Sequence, residues 1–164
     1  MINRELINPQ SIVIVGGSNN VQKPGGRLVR NLLDGKYKGD LYVVNAKETE
    51  VQGVKSYANV AEIPDTELAI ISIPGKACPE VVEVLAKQKN VRAFIIISAG
   101  FGEETVEGGI IENQLLDIIN EAGASFIGPN CIGVMNTNYH GVFTQPVPEV
   151  HHDGGDFIST SGGS

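Results

Sequence analysis

The residues with chemical reach sit just after short apolar runs. Gly16-Gly17-Ser18-Asn19-Asn20, followed by Lys23-Pro24-Gly25-Gly26, could cradle a phosphate, because glycines let backbone N–H groups approach an anion at a helix N-terminus. Gly16-x-Ser18 departs from the dinucleotide fingerprint, and no Gly-Lys-Ser/Thr follows to make a P-loop. A plain tight turn is the alternative. Asn45-Ala46-Lys47 offers a cation where an NAD site would place a carboxylate against the ribose hydroxyls. It suits a phosphorylated ribose, although Glu48 and Glu50 lie near enough that NAD is not fully excluded, and a solvated lysine is the other reading. Cys131 follows Gly128-Pro129-Asn130; Asn130 tolerates unusual backbone angles and brings an amide donor. As a nucleophile Cys131 lacks a neighbouring base, and a packing role competes evenly. Cys78, beside Pro79 at a helix start, reads as structural. His151-His152-Asp153 invites a metal, but adjacent side chains of an extended segment point opposite ways and no cluster completes a site. Glu103 and Glu104 read first as charge complementing a helix N-terminus.

These positions need a scaffold, and the apolar pattern supplies one. Ser11 to Val15, Asp40 to Asn45, Leu68 to Ile73, Arg92 to Ser98 and Ala124 to Ile127 read as strands, several of them continuous apolar runs suited to burial on both faces. Between them, Leu28, Val29, Leu32 and Leu33 recur at helical spacing, with Gly35 as the C′ residue. Ala77, Val81, Val84 and Leu85 form a second stripe. Ile111, Leu115, Ile118, Ile119 and Ala122 form a third, ended by Gly123. Strands alternating with amphipathic helices predict an α/β fold: a Rossmann-like, doubly wound, mainly parallel sheet with helices on both faces. In such sheets ligands bind beyond the carboxyl ends of the strands, where Gly16 to Ser18, Lys47, Pro74-Gly75, Ser98 to Gly100 and Asn130-Cys131 fall. Met135 to Asp153 reads as loop, and Gly155 to Thr160 resumes a strand before Ser161-Gly162-Gly163-Ser164.

Composition narrows the function. The chain has 164 residues, 41% hydrophobic and 19% charged, with 20 glycines and a net charge of -7. That is enough apolar material for one core, and an acidic balance that disfavours nucleic acid as partner. No run is long enough to span a membrane. Two cysteines make no disulfide framework and fit a reducing, cytoplasmic setting.

Taken together, Val15-Gly16-Gly17-Ser18, Val44-Asn45-Ala46-Lys47, Val51 to Tyr57, Ser98-Ala99-Gly100-Phe101-Gly102-Glu103 and, most specifically, Ile127-Gly128-Pro129-Asn130-Cys131-Ile132-Gly133-Val134-Met135-Asn136-Thr137 carry a likeness. The chain resembles the CoA-binding domain of the NDP-forming acyl-CoA synthetases, in particular the α part of the ADP-forming acetyl-CoA synthetases, with the succinyl-CoA synthetase α subunit a more distant relative. The resemblance implies that Gly16, Ser18, Asn19, Lys23, Gly25 and Gly26 hold the pyrophosphate region of CoA or an acyl-CoA, and that Lys47 lies near the adenosine phosphate. Ile73, Pro74, Ser98, Ala99 and Gly100 would line nucleotide and pantetheine, with Asn130 and Cys131 near the thiol. Lys23, Arg27, Lys47 and Lys76 would supply local positive charge.

The same resemblance implies residues 1–150 as the CoA-binding domain and 151–164 as a linker and the start of a second domain. The family's phosphorylated histidine matches none of His140, His151 or His152. The chain alone is therefore expected to bind CoA without turnover and to hold no metal and no catalytic residue. ADP, ATP and Mg would belong to the remaining synthetase domains or an ATP-grasp subunit. Other readings are a regulatory module of a protein acetyltransferase, a stand-alone CoA-binding protein, and an NADP-dependent oxidoreductase domain.

Overall fold

The computed structural model describes residues 2–147. The elements in chain order begin with α1 (Arg4–Ile7), β1 (Ser11–Val15), α2 (Pro24–Asp34), β2 (Asp40–Val44), β3 (Glu50–Val51) and β4 (Val54–Tyr57). They continue with β5 (Leu68–Ile71), α3 (Cys78–Gln88), β6 (Ala93–Ile96), α4 (Val106–Glu121), β7 (Ser125–Ile127), β8 (Gly133–Met135) and β9 (His140–Val142). The main sheet has the order β3-β4-β2-β1-β5-β6-β7. It is parallel throughout except at β3, which runs antiparallel to β4.

The period-two alternation of the central strands decides which helix goes where. Val13, Val15, Ala69, Ile71, Phe94 and Ile96 face α3 and α4. Ile12, Ile14, Leu68, Ile70 and Ile95 face α2 and α1. Every one of these side chains is at most 3% exposed, and each fully buried branched residue contributes roughly 1.5–3 kcal/mol. From β1 the chain crosses through α2 to β2 on one side, then returns past β1 to β5 and proceeds outward through α3 and α4. Right-handed crossovers in opposite directions put their helices on opposite faces. The reversal between β1 and β5 opens a crevice at their carboxyl ends.

Two parts of the expected layout change. Met135 to Asp153 does not begin as loop: β8 and β9 form an antiparallel pair that covers the α2 face beside α1. Tyr139 at its tip is 1% exposed and donates its hydroxyl to the Leu6 carbonyl at 2.7 Å. Asn136 and Asn138 both donate to the Ile7 carbonyl, so the asparagines that give this stretch its loop composition bind α1. Second, Gly35 closes α2 in a right-handed conformation, and the left-handed residue is Lys36, with φ 52°; Gly123, at φ 62°, is the left-handed residue after α4. The expected second unit at 151–164, including His151, His152 and Asp153, lies outside the described residues. No helix among the described residues is long and apolar enough to cross a membrane.

Candidate functional site

The glycine loop is built by close backbone approach. Gly16 ends β1 at φ 88°, and a Cβ there would meet the Ser72 carbonyl and, at 2.9 Å, the Ile73 side chain. A Cβ on Gly25 would fall on the Gly16 carbonyl, and one on Gly26 on the Asn20 carbonyl. Two short side-chain turns shape what lies between: Ser18 Oγ accepts from the Asn20 N–H (3.0 Å) and Asn20 Oδ1 from the Gln22 N–H (2.9 Å). Lys23 then stands at the N-cap of α2 and makes no side-chain cap, Pro24 occupies the first turn, and no acidic residue is present there. The first intrahelical bond runs from Arg27 N–H to the Lys23 carbonyl. The N–H groups of Gly25 and Gly26 thus lie at the positive end of α2, ahead of its hydrogen-bond ladder.

Beside this loop lies a cleft of about 690 Å³, within the roughly 300–1,000 Å³ usual for small-molecule sites. The ends of β1 and β2, the segment after β4 and the face of α3 enclose it, and Lys47 and Glu80 are the charged residues of its lining. Asn45 sets the position of Lys47. Its Nδ2 donates to the Gly17 carbonyl at 2.8 Å, and its Oδ1 accepts from the N–H groups of Lys47 (2.9 Å) and Glu48 (3.2 Å). One amide therefore ties the glycine loop to the turn that carries the lysine. Glu48 and Glu50, the carboxylates nearest in sequence to an NAD-like position, do not line the cleft.

A second hollow, about 380 Å³, continues on the other side of Ile73, lined by Pro24, Pro74, Ser98, Ala99 and Phe143 among others. Ser98 Oγ accepts from the Ile73 N–H at 3.2 Å and from the Cys78 thiol at 3.9 Å, so one hydroxyl joins the ends of β5 and β6 to the start of α3. Burial pushes the Cys78 thiol up to about 11 against the opposing Ser98 bond; it is a packing group. Gly100 holds φ 95° and donates its N–H to Glu103 at 3.1 Å. Asn130, exposed at φ 51°, donates its N–H to the Ser98 carbonyl at 2.9 Å. Cys131 donates its thiol to the Ile96 carbonyl at 3.3 Å. Burial raises its pKa more than the backbone N–H groups of Gly133 and Cys131 lower it.

The structure brings Gly16, Lys47 and Ile73 to the first hollow and Ile73, Pro74, Ser98 and Ala99 to the second, with Ser18 and Lys23 on the loop between β1 and α2 and Gly25 and Gly26 in the first turn of α2. Asn19 differs: its side chain is engaged with the β3–β4 hairpin, donating to the Glu50 carbonyl at 3.1 Å and accepting from the Gln52 N–H at 2.8 Å. Lys76, expected to supply local positive charge, pairs with Glu107 at 3.0 Å on the surface. Two residues that the sequence reading did not single out belong to the site's construction, Gln52 and Asn59. Asn59 caps the short 3₁₀ turn Val60–Glu62 through the Ala61 N–H and lines the cleft. For Asn59, which caps a tight turn, turn chemistry was the available signal.

Comparison with known proteins gives a consistent picture. A family described as a CoA binding domain matches residues 10–137. The α subunit of an ADP-forming acetate–CoA ligase from Pyrococcus furiosus is 43% identical over 133 residues, 80% of this chain and 28% of that protein. An ADP-forming 4-hydroxybutyrate–CoA ligase from Nitrosopumilus maritimus is 34% identical, over 83% of this chain and 19% of that protein. Among solved structures, the apo form of a dinucleotide-forming acetyl-coenzyme A synthetase from Candidatus Korarchaeum cryptofilum superposes with a TM-score of 0.78 at 30% identity, covering 85% of this chain and 31% of that one. The chain thus spans about a fifth to a third of the length of these three relatives.

Proposed function

The chain belongs to the family of CoA-binding domains, and we propose that it holds CoA or an acyl-CoA along the carboxyl edge of its sheet. The observation that carries this is the uncapped, acid-free N-terminus of α2 opening beside a cleft whose rim bears Lys47. Adenosine occupies the cleft against Val81 and Val84, and the ribose 3′-phosphate meets Lys47. The pyrophosphate takes the N–H groups of Gly25 and Gly26 at the positive end of α2. Pantetheine crosses Ile73 and Pro74 toward Ser98, Ala99 and Asn130. These residues fit the ligand: small and aliphatic where the base sits, cationic where a third phosphate sits, and rich in free N–H groups between.

The chain's own part in the chemistry is to bind and orient. CoA supplies the reacting thiol, and Cys131 is a neighbour whose proton stays on sulfur, donated to the Ile96 carbonyl. The whole protein is proposed to be an ADP-forming acid–thiol ligase of the cytoplasm, with acetate or a related acid as its acyl group. ADP, ATP and Mg would be bound by other domains or by an ATP-grasp subunit, and residues 151–164 would lead toward the next domain. Titration calorimetry of the chain with CoA and with NAD tests the binding. CoA must bind, and more tightly than NAD; the reverse order ends the reading.

A further inference from the structure

We propose that Gln52 is the positioning residue of the anion loop, acting from the β3–β4 hairpin. The inference rests on the reading of that loop as the pyrophosphate site. The loop follows β1 through Ser18 and enters α2, whose first turn holds Gly26. Gln52 Nε2 donates to both ends at once, to the Ser18 carbonyl at 2.9 Å and the Gly26 carbonyl at 2.8 Å. Its backbone N–H holds Asn19 Oδ1 at 2.8 Å, while Asn19 Nδ2 holds the Glu50 carbonyl at 3.1 Å. Four hydrogen bonds therefore fasten the loop and the start of α2 to the β3–β4 hairpin, three of them at Gln52 in its two-residue turn.

That turn is itself specified. Gln52 and Gly53 have φ of 52° and 84°, the consecutive positive values that tight hairpins use. The orientation of the amide is also settled by its partners. Turned over, Oε1 would face two carbonyl oxygens and repel both. In its actual orientation Oε1 is buried with no partner among the described residues, an arrangement that costs free energy. The fold accepts that loss and keeps both donors on the loop. A planar peptide points its N–H opposite its C=O, so fixing the Ser18 carbonyl on Gln52 turns the Asn19 N–H away from it. Without the amide, the Ser18 carbonyl, and with it the Asn19 N–H, is no longer held beside the place where the anion binds. Gln52 touches no ligand atom in this scheme; it acts through the loop.

The test uses the whole chain with Gln52→Met, which keeps length and removes both donors, and Gln52→Ala as a second variant without the added bulk. The ligands are CoA, dephospho-CoA and adenosine 3′-phosphate, the last lacking a pyrophosphate. Two lost hydrogen bonds predict about a tenfold loss for CoA and dephospho-CoA alike, and less than about twofold for adenosine 3′-phosphate. Unchanged CoA affinity, or an equal loss for all three ligands, overturns the proposal. Amide hydrogen exchange in the ligand-free protein separates it from the reading of the site. If the unaltered chain binds no CoA, the pyrophosphate reading fails by itself. Both variants must still speed exchange at Asn20, Lys23 and Arg27, whose N–H groups are bonded within the loop and the first turn of α2, and unchanged exchange there overturns the positioning role.

Discussion

Gly25 lies against Gly16 so closely that a Cβ on the first would occupy the carbonyl oxygen of the second. The first turn of α2 thus crosses the end of β1 backbone to backbone, which is what brings the helix N-terminus over the crevice. Gly25→Ala must push this crossing apart. Overpacking of this kind costs about 1–3 kcal/mol, and the helix terminus moves with it. Chemical denaturation should show a lower midpoint at unchanged slope, and calorimetry a loss of CoA affinity larger than that of Gly109→Ala, a position in α4 where a Cβ meets nothing closer than 3.8 Å. Equal behaviour of the two variants would contradict the crossing.

Tyr139 tests the cover on the other face. Its hydroxyl is the buried partner of the Leu6 carbonyl at 2.7 Å, so Tyr139→Phe leaves that carbonyl unsatisfied at about 1–3 kcal/mol. The expected result is a lower unfolding midpoint with CoA binding by the folded protein unchanged, since Tyr139 lines neither hollow of the site. Undiminished stability would mean that the β8–β9 pair does not seal α1 to the sheet.

The central strands were legible because β1, β5 and β6 are unbroken apolar runs, a pattern that only burial on both faces explains. The strand ends then located Gly16, Lys47, Ser98 and Asn130 together. The hairpins were not legible. β3 is two residues long, β4 carries Lys55 in its middle, and the β8–β9 connection is asparagine-rich because those side chains bind α1 rather than water. Gln52 escaped notice for a related reason: its partners Ser18 and Gly26 lie 34 and 26 residues away, and no local pattern marks an amide whose work is that distant. The pairing of Lys76 was out of reach in the same way, because its partner Glu107 is 31 residues away.

Cys131 should behave as a poor nucleophile. Its raised pKa and its bond to the Ile96 carbonyl keep the thiol protonated at neutral pH, and only the thiolate reacts. Alkylation by iodoacetamide at pH 7 should be slower than that of free cysteine and should speed up as pH rises well above the ordinary thiol range. Cys131→Ser should retain CoA binding. An acyl group found on Cys131 by mass spectrometry after incubation with acetyl-CoA would contradict the assignment.

The central claim, that CoA lies along this edge with its ribose phosphate at the end of β2, is tested most directly at Lys47. Calorimetry of the unaltered chain and of Lys47→Ala, each with CoA and with dephospho-CoA, forms a double-difference cycle. A partly shielded charge-assisted contact is worth roughly 1.5–3 kcal/mol, so Lys47→Ala should weaken CoA by about tenfold or more and dephospho-CoA far less. Equal losses for the two ligands would show that Lys47 does not meet the phosphate and that the nucleotide lies elsewhere.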